Sequence, residues 1–479
     1  MSSTRCSRFI TAARPNGGNH EDVIVDSEAS MIGCIGLWRE SLSRGHEAVN
    51  SAPQVTFALC MYALMVMLVT AASWAIYKHS GDFFYRPLDG KIFQFSDLTY
   101  YVDKTAHLRN GAAALGSGGP LYIYPAPGAF VNKALLYSFP GHPVRPFLVF
   151  LAICITGFAV VAWRAARTTK AVRLPVAAAI VTTAALGYPL IFTADRGNIE
   201  GVVWALVAAG LCFLLRSRYL TAALLIGLAA SIKPFPFLFL LLLLPRRRYK
   251  EAALGLVTAG LVTIAALTYL GPNPWKAYQE LKPNVSDYLH QYVWNLRSVQ
   301  EERFNHSLLD GMKSAALTVE MGGFRPHKAI SEVPKLRAEP GGWHVARTLA
   351  RVYPYIAIAG LGLLIAVFYR MPILNQMTAL AVAVALIPPC SADYTLLEIY
   401  LPFGALLVFL SREVAAGKAT MSHASLLTLA VLYALLFSPL TFLALYAGDA
   451  KLLLLLGLLF VAARTPMASK YFGDAAVTA

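Results

Sequence analysis

Three ionisable residues lie beside apolar segments, where a charged side chain requires either an oppositely charged partner or a functional role. Asp97 lies in the polar stretch FQFSDLTYYVDKTAHLRNG (93–111), Arg196 lies in TADRGNIEG (193–201), and Lys233 begins the motif KPFP. A charge at the centre of a membrane helix costs about 2.5–3.5 kcal/mol. A carboxylate in such a place could act as a general base, and the two cations could bind a phosphate.

Asp97 has two interpretations. It begins a predicted interfacial helix in which Leu98, Val102 and Ala106 lie near one face. Ser96 and Asp97 are both residue types favoured at a helix N-cap. The residue types leave capping and proton transfer equally open.

The two cations have similar alternatives. A helix from Asn198 to Arg216 would offer unpaired N–H groups at its start, which suit a phosphate, and Arg196 could add a bidentate contact. The other interpretation of Arg196 is a local pair with Asp195 in a turn. Lys233 is either a phosphate ligand at a cavity or an amine that extends to the lipid headgroups.

Two later motifs supply further candidates for substrate binding. RFNHSLLDG contains Asn305 and His306, and PPCSADYTLLE contains Asp393 and Tyr394. The aromatic stretch 288–298 could stack on a sugar, although an aromatic belt at the membrane interface is the commoner explanation. Asp393 and Tyr394 could also simply cap the apolar run that follows them.

Composition defines the elements that must position these residues. The chain has 479 residues, of which 57% are hydrophobic and 14% charged, and its first apolar run, 55–77, is long enough to cross a bilayer. We predict an all-α polytopic membrane protein with about twelve transmembrane helices. The predicted spans after 55–77 are 146–163, 174–193, 199–215, 219–232, 235–245, 251–270, 349–369, 373–388, 396–411, 423–441 and 449–463.

The net charge of +15 is a topology signal. The basic residues concentrate in short loops between apolar runs, at 163–173, 216–218, 245–250 and Arg370. With a cytoplasmic N-terminus all four lie on the cytoplasmic side, as the positive-inside rule requires. We therefore expect membrane lipids and no nucleic acid as partners, and candidate residues that face a cavity on the outer, periplasmic side of the inner (plasma) membrane.

Two segments decide this topology. The prolines of KPFP favour a break that turns 219–245 into a hairpin with Lys233 at its tip. Segment 122–139 is apolar but contains Pro125 and Pro127, so we predict a re-entrant or interfacial element. A span there would reverse every later loop.

The predicted organisation has three parts. Residues 1–54 form a cytoplasmic extension, 55–464 the membrane domain with long outer loops at 78–145 and 271–348, and 465–479 a short cytoplasmic tail. The six cysteines are scattered and form no CxxC pair, so the sequence predicts neither a metal site nor a disulfide framework.

Several motifs, taken together, resemble glycosyltransferase family 87 of the GT-C superfamily. They are the Asp-Leu-x-x-Tyr element at Asp97, GGPLYIYPAPGAF (118–130), DRGNIEGVVWAL (195–206), GLAASIKPFPFLFLLLLLPRRR and NHSLL, and the resemblance covers roughly 80–470. It implies a GT-C-like bundle with an outer-face active-site cavity. The implied donor is a polyprenyl-phosphate sugar, mannose in the family's familiar members, and the acceptor is a lipid or glycan.

The resemblance also implies residue roles. Asp97 would be the base that deprotonates the acceptor, and the substrate-binding set would be Tyr101, Tyr124, Arg196, Asn198, Lys233, Asn305, His306, Asp393 and Tyr394. Attack opposite the phosphate gives inversion, and because phosphate is a good leaving group, one carboxylate suffices. Fixed cations would stabilise the phosphate, so we expect no metal and no cofactor.

The chain departs from the family pattern at 388–398. Many members have Ser-Pro-x-Ser-Trp with paired histidines near this point, where this sequence reads PPCSADYTLLE. Two alternative functions also fit a protein of this kind. A transporter or lipid flippase would have similar spans, although no internal repeat supports it, and a polysaccharide polymerase or ligase would share the lipid donor.

Asp97→Asn is expected to leave the protein folded and membrane-inserted but inactive, because general base catalysis contributes about 10²–10⁴-fold. The measurement is transfer of labelled sugar from polyprenyl-phosphate mannose by purified protein in liposomes, with wild type and variant side by side. An active Asn variant would contradict the assignment.

Overall fold

The structure is a computed structural model that describes residues 52–80, 124–137, 144–166, 170–297, 304–417 and 421–467. All of them belong to one compact unit, Asn50–Ala479. Asp97 and Tyr101 lie outside the described residues, as do most of the predicted N-terminal extension and C-terminal tail.

The described residues form helices, and no β-strand occurs among them. The α-helices are α1 (Ala52–Ser80), α2 (Ala126–Tyr137), α3 (Val144–Ala166), α4 (Arg173–Leu186), α5 (Tyr188–Arg196), α6 (Glu200–Leu214), α7 (Tyr219–Ile232), α8 (Tyr249–Leu270), α9 (Pro274–Tyr288), α10 (Leu308–Glu320), α11 (Pro326–Ala338), α12 (His344–Phe368), α13 (Ile373–Leu386), α14 (Tyr400–Ala415), α15 (His423–Leu436) and α16 (Ala447–Arg464). Between them lie the 3₁₀ segments Lys170–Val172, Phe235–Arg246, Asp393–Ile399 and Thr441–Tyr446, and one π-helical turn, Leu289–Val293.

Six segments in the described part of the chain are long and apolar enough to cross a membrane. They are Ala52–Ile76, Arg145–Arg164, Lys170–Arg196, Tyr249–Leu270, His344–Phe368 and Asp393–Ala415. These helices indicate a multi-pass membrane protein. The predicted all-α class is confirmed by the helical structure of the described residues. The predicted number of about twelve spans is not confirmed. Each predicted span overlaps one or two helices, but several of those helices have 12 to 15 residues, fewer than the roughly 20 that a span needs.

The predicted span 174–193 is two helices. The backbone turns extended at Gly187 (φ −63°, ψ 108°), between α4 and α5. The Tyr400 hydroxyl lies against Gly187, where a Cβ would overlap it, and the Tyr188 N–H donates to the carbonyl of Phe437 at 2.7 Å. This break therefore depends on packing against distant segments, and Gly187 and Pro189 are the local signals that mark it in the sequence.

The break predicted at KPFP is present. Helix α7 ends at Ile232, and Lys233 is extended (φ −134°, ψ 134°) before the 3₁₀ segment Phe235–Arg246. Gly255 in α8 lies close to both the Ala223 carbonyl and the Leu240 side chain. In one straight helix Ala223 and Leu240 would be about 25 Å apart at 1.5 Å per residue, so the chain folds back as a hairpin.

Helix α2 occupies the ambiguous segment 122–139. It has twelve residues, too few to cross the bilayer. This length agrees with the predicted re-entrant or interfacial element, and the depth of α2 in the membrane stays a prediction.

The core of the membrane domain surrounds α13. All fourteen residues of α13 are buried, against the 3₁₀ segment Phe235–Arg246, α14 and α16. Helices α8 and α12 instead expose apolar side chains, including Leu261 and Leu363. A helix with such an exposed apolar face is suited to contact with lipid.

Glycine-mediated packing of α8 is the testable feature of this fold. A Cβ at Gly255 would lie 2.7 Å from the Leu240 side chain and 2.9 Å from the Ala223 carbonyl, whereas a Cβ at Gly260 meets nothing within 4 Å. Gly255→Val is expected to destabilise the protein by about 1–3 kcal/mol through overpacking. Thermal unfolding in detergent measures this, with Gly260→Val as the matched control in the same helix. Equal midpoints for the two variants would contradict the close approach.

Candidate functional site

The described helices enclose a cavity of about 510 Å³ that is lined mainly by apolar side chains. The charged side chains on the cavity wall are those of Glu200, Lys233 and Lys282. The lining residues are Tyr124, Pro125, Ala126, Glu200, Lys233, Pro234, Phe235, Pro236, Thr263, Leu267, Tyr278, Leu281, Lys282, Val285, Tyr288, Leu289, Val384, Pro388, Pro389, Cys390, Tyr394 and Thr395. Large apolar cavities with a few converging polar groups are typical of ligand sites.

Lys233 contacts the cavity from the break between α7 and the following 3₁₀ segment. Its Nζ lies 2.5 Å from Oε2 of Glu200 and donates to Oδ1 of Asn198 at 3.2 Å. The Lys233 side chain is 15% exposed and that of Glu200 only 3%. An ammonium so far from bulk water is stabilised by a carboxylate within contact distance.

Asn198 joins three segments at this point. Its Oδ1 accepts from the Glu200 backbone N–H at 2.9 Å, which satisfies a donor at the start of α6, and its Nδ2 donates to the Tyr124 hydroxyl at 3.1 Å. The Lys233 ammonium also lies over the rings of Tyr124 (5.3 Å) and Tyr394 (4.5 Å). The structure thus brings together four of the predicted site residues, Tyr124, Asn198, Lys233 and Tyr394.

Glu200 was missed by the sequence analysis. It is a carboxylate at the start of an apolar helix and is almost completely buried. Since an acidic residue in such a place requires a partner, this position was the available signal. The predicted phosphate site at the start of α6 is therefore already in contact with an acidic side chain, and Lys233 does not face the cavity as an isolated cation.

A second polar cluster lies beside the cavity. Asp393 accepts from the Lys451 ammonium at 2.8 Å, and its other oxygen lies 3.6 Å from Nδ1 of His306. All three side chains are buried, and the Lys451 ammonium lies 4.7 Å from the centre of the Tyr188 ring. Lys451 was not a predicted site residue, although a lysine inside an apolar helix is the same kind of signal as Glu200.

His306 connects this cluster to the cavity wall. Its Nε2 lies 3.0 Å from the Thr395 hydroxyl and 3.1 Å from the Ser391 hydroxyl, and these two hydroxyls are 2.7 Å apart. Burial lowers the pKa of His306 from its usual range, which favours the neutral ring. Thr395 lines the cavity, so the hydrogen bonds run from the cavity wall towards Asp393.

Asn305 holds the two motifs together. Its Oδ1 accepts from the backbone N–H of Ser391 at 2.9 Å and from that of Ser307 at 3.2 Å. The His306 N–H in turn donates to the Ser391 carbonyl at 2.9 Å. The predicted residues Asn305, His306 and Asp393 are thus brought together, and a histidine does contact the segment 388–398 where the sequence departs from the family pattern.

Arg196 is not brought to this site within the part of the chain that the structure describes. It is exposed in the last turn of α5, and it is not among the cavity-lining residues. The predicted TADRGNIEG turn is also shorter than expected, because Asp195 and Arg196 continue α5 and only 197–199 separate it from α6. Gly197 (φ 62°, ψ 37°) adopts the left-handed conformation that closes α5.

The fold and this geometry define a class: an all-helical, multi-pass membrane protein with a paired lysine on the wall of a largely apolar cavity. A comparison with protein families matches residues 122–392 to glycosyltransferase family 87. The match covers more than half of the chain, and the chain belongs to this family, which confirms the predicted resemblance. A search of the curated proteins and a search of the solved structures each return no match.

Family membership implies a membrane glycosyltransferase, with a sugar donor and an acceptor in the membrane. The matched region contains the residues from Tyr124 to His306 that form the two clusters. It ends one residue before Asp393, and Asp97 and Tyr101 precede it.

Because the pair Lys451–Asp393 is buried, we expect its disruption to destabilise the protein more than disruption of an exposed pair would. Lys451→Met is expected to cost about 3–5 kcal/mol because it leaves Asp393 buried without its cation. Adding Asp393→Asn removes that charge and is expected to recover part of the loss. Thermal unfolding in detergent measures both.

Lys335→Met is the matched control. Lys335 contacts Glu332 at 2.9 Å on the exposed face of α11, where a pair contributes about 0–1 kcal/mol. Equal losses from the two methionine substitutions, or no recovery in the double variant, would rule out a stabilising buried pair.

Proposed function

We propose that the protein is an inverting glycosyltransferase that moves a sugar, mannose, from a polyprenyl-phosphate donor to a lipid or glycan acceptor on the outer face of the plasma (inner) membrane. The observation that carries the proposal is the paired lysine, Lys233, on the wall of a cavity of about 510 Å³ that is otherwise largely apolar. A phosphate attached to an isoprenoid chain matches both features.

The charge at Lys233 suits a lipid-linked phosphate. Its ammonium is in contact with Glu200, which favours the charged form, and it reaches the cavity. A charge-assisted hydrogen bond in a site shielded from water is stronger than one in bulk solvent. Lys233 would therefore hold the donor phosphate and stabilise the negative charge that remains on it after the sugar leaves.

The apolar wall suits the isoprenoid chain. Phe235, Leu267, Leu281, Val285 and Leu289 line the cavity. Leu267 belongs to α8, whose other side exposes apolar residues. A prenyl chain could leave the cavity past such a helix without exposing its apolar surface to water.

Helix direction supports an outer-face site. Lys233 lies at the C-terminal end of α7, and the basic residues 216–218 precede the N-terminal end of that helix. Arg248 lies 4.8 Å from the Tyr219 ring, and Arg246 donates to Gln376 at 3.4 Å. The basic segments thus meet at the opposite ends of these helices from Lys233, and the positive-inside rule favours the cytoplasm for that end.

The proposed reaction needs one base and one leaving group. Asp97 removes the proton from the acceptor hydroxyl as its oxygen attacks the anomeric carbon. The bond from that carbon to the phosphate oxygen breaks, and the phosphate leaves on the opposite face with its electron pair. Tyr124, Asn198, Tyr394, Asn305, His306 and Asp393 form or support the wall around this position, while Tyr101 and Arg196 complete the proposed substrate-binding set.

The test is transfer of labelled mannose from polyprenyl-phosphate mannose by the purified protein in liposomes, with lipid extract as acceptor. Product from this donor and none from a nucleotide sugar supports the proposal. Product from the nucleotide sugar alone, or transfer of preassembled chains alone, would overturn it. The family membership favours this reaction over the transporter alternative.

Lys233→Met is expected to raise the KM for the donor by about 10- to 100-fold, the value of a lost hydrogen bond between charged groups. The KM for the acceptor should change little, because the substitution acts on the phosphate. Steady-state transfer kinetics measure both values. Lys276→Met is the matched control, since Lys276 is exposed on α9 and does not line the cavity. Equal donor KM values for wild type and Lys233→Met would remove Lys233 from the phosphate site.

A further inference from the structure

The Thr395 hydroxyl is the point at which the second polar cluster reaches the cavity. Thr395 lines the cavity wall from the 3₁₀ segment Asp393–Ile399. Its Oγ1 lies 3.0 Å from Nε2 of His306, 2.7 Å from Oγ of Ser391 and 2.9 Å from the Ala392 carbonyl. Three polar partners hold this hydroxyl, so its position on the wall is fixed.

The position of Asp393 decides which nitrogen of the His306 ring carries the proton. The Lys451 ammonium contacts one carboxylate oxygen of Asp393 at 2.8 Å, which favours the charged carboxylate, and the other oxygen lies 3.6 Å from Nδ1 of His306. A negative charge beside Nδ1 favours the neutral tautomer with its proton on that nitrogen. Nε2 is then an acceptor, and it faces the hydroxyls of Thr395 and Ser391.

This tautomer leaves the Thr395 oxygen able to accept a further hydrogen bond. A hydroxyl has one proton and two lone pairs. Two of the contacts of Thr395 Oγ1, Nε2 of His306 and the Ala392 carbonyl, are acceptors. Its third contact among the described residues, the Ser391 hydroxyl, supplies at most one proton. At least one lone pair on the Thr395 oxygen can therefore accept from a ligand in the cavity.

A sugar hydroxyl is the group that suits this position. Tyr394 directly precedes Thr395, so their Cα atoms are about 3.8 Å apart, and both residues line the cavity. The Lys233 ammonium lies 4.5 Å from the centre of the Tyr394 ring. A phosphate at Lys233 would therefore place the sugar that it carries beside this wall. A sugar hydroxyl can donate to Thr395, whereas a prenyl chain has no donor.

We propose that Thr395 is a specificity-determining residue, whose Oγ1 accepts a hydrogen bond from one hydroxyl of the transferred sugar. His306 and Asp393 are positioning residues here, because they fix the direction of the hydrogen bonds at Thr395. A site that hydrogen-bonds a substrate hydroxyl rejects an analogue that lacks it. This inference rests on the proposed function, because it takes a phosphate-linked sugar as the ligand at Lys233.

The experiment combines a series of donors with one substitution. Wild type and Thr395→Val, as full-length protein in liposomes, are compared with polyprenyl-phosphate mannose and with analogues that each lack one hydroxyl of the mannose. Valine replaces the threonine hydroxyl with a methyl group of similar size. We expect Thr395→Val to lower kcat/KM for the intact donor by about 2- to 10-fold, the value of one hydrogen bond between uncharged groups.

One analogue is expected to identify the bound hydroxyl. In wild type its kcat/KM should fall by about 2- to 10-fold relative to the intact donor. In Thr395→Val the same analogue should lose almost nothing further, because the hydrogen bond is already absent. A purely structural effect of the substitution would instead lower transfer from every donor by the same factor.

Two further variants make the comparison specific to the hydroxyl. Thr395→Ser keeps the hydroxyl and should retain the wild-type discrimination between donors. Thr378→Val is the matched control, since Thr378 is buried in α13, donates to the Leu374 carbonyl at 2.8 Å and is not among the cavity-lining residues. It should leave the discrimination unchanged.

The outcomes separate the inference from the proposed function. If every analogue loses the same factor in Thr395→Val as in wild type, Thr395 does not bind a sugar hydroxyl, and the proposed donor stays in place. Absence of wild-type transfer from polyprenyl-phosphate mannose removes the proposed donor and this inference together. If Thr395→Val fails to fold, Thr395→Ala makes the same comparison.

Discussion

The ion pair between Lys233 and Glu200 is the constraint on which the site depends. A lysine and a glutamate this far from water stabilise each other by direct contact, and their contact joins the end of one helix to the start of another. The pair forms because the chain breaks at Lys233 and turns back. Asn198 completes the junction by accepting from both the Lys233 ammonium and the Glu200 backbone N–H.

The segment Asp393–Ile399 contributes side chains both to the cluster around Lys233 and to the cluster of Asp393, Lys451 and His306. Asp393 contacts Lys451 and His306, Thr395 and Tyr394 line the cavity, and Glu398 is buried. This segment is a short 3₁₀ helix, in which residues three apart lie on one side. A buried polar network of this kind restricts the packing of its neighbours, because each unpaired member would be costly.

The cavity shows how a membrane protein can combine a charged group with a lipid-like ligand. Its wall is largely apolar, so an isoprenoid chain and the surrounding helices make compatible contacts. Tyr124, Asn198, Glu200 and Tyr394 converge at Lys233, where the proposed phosphate would lie. The same low dielectric that makes an unpaired charge expensive strengthens each properly paired one.

Sequence by itself determined the helical class, the membrane setting, the break at Lys233 and the family, because these depend on local composition, on proline and on motifs read along the chain. It also identified Tyr124, Asn198, Asn305, His306 and Asp393 as candidates. Only tertiary structure decided that Glu200 pairs with Lys233, that Lys451 pairs with Asp393, and that Arg196 is not among the described residues that line the cavity. Each of these depends on residues far apart in the chain, whose meeting is set by helix packing and by the cost of burying a charge without its partner.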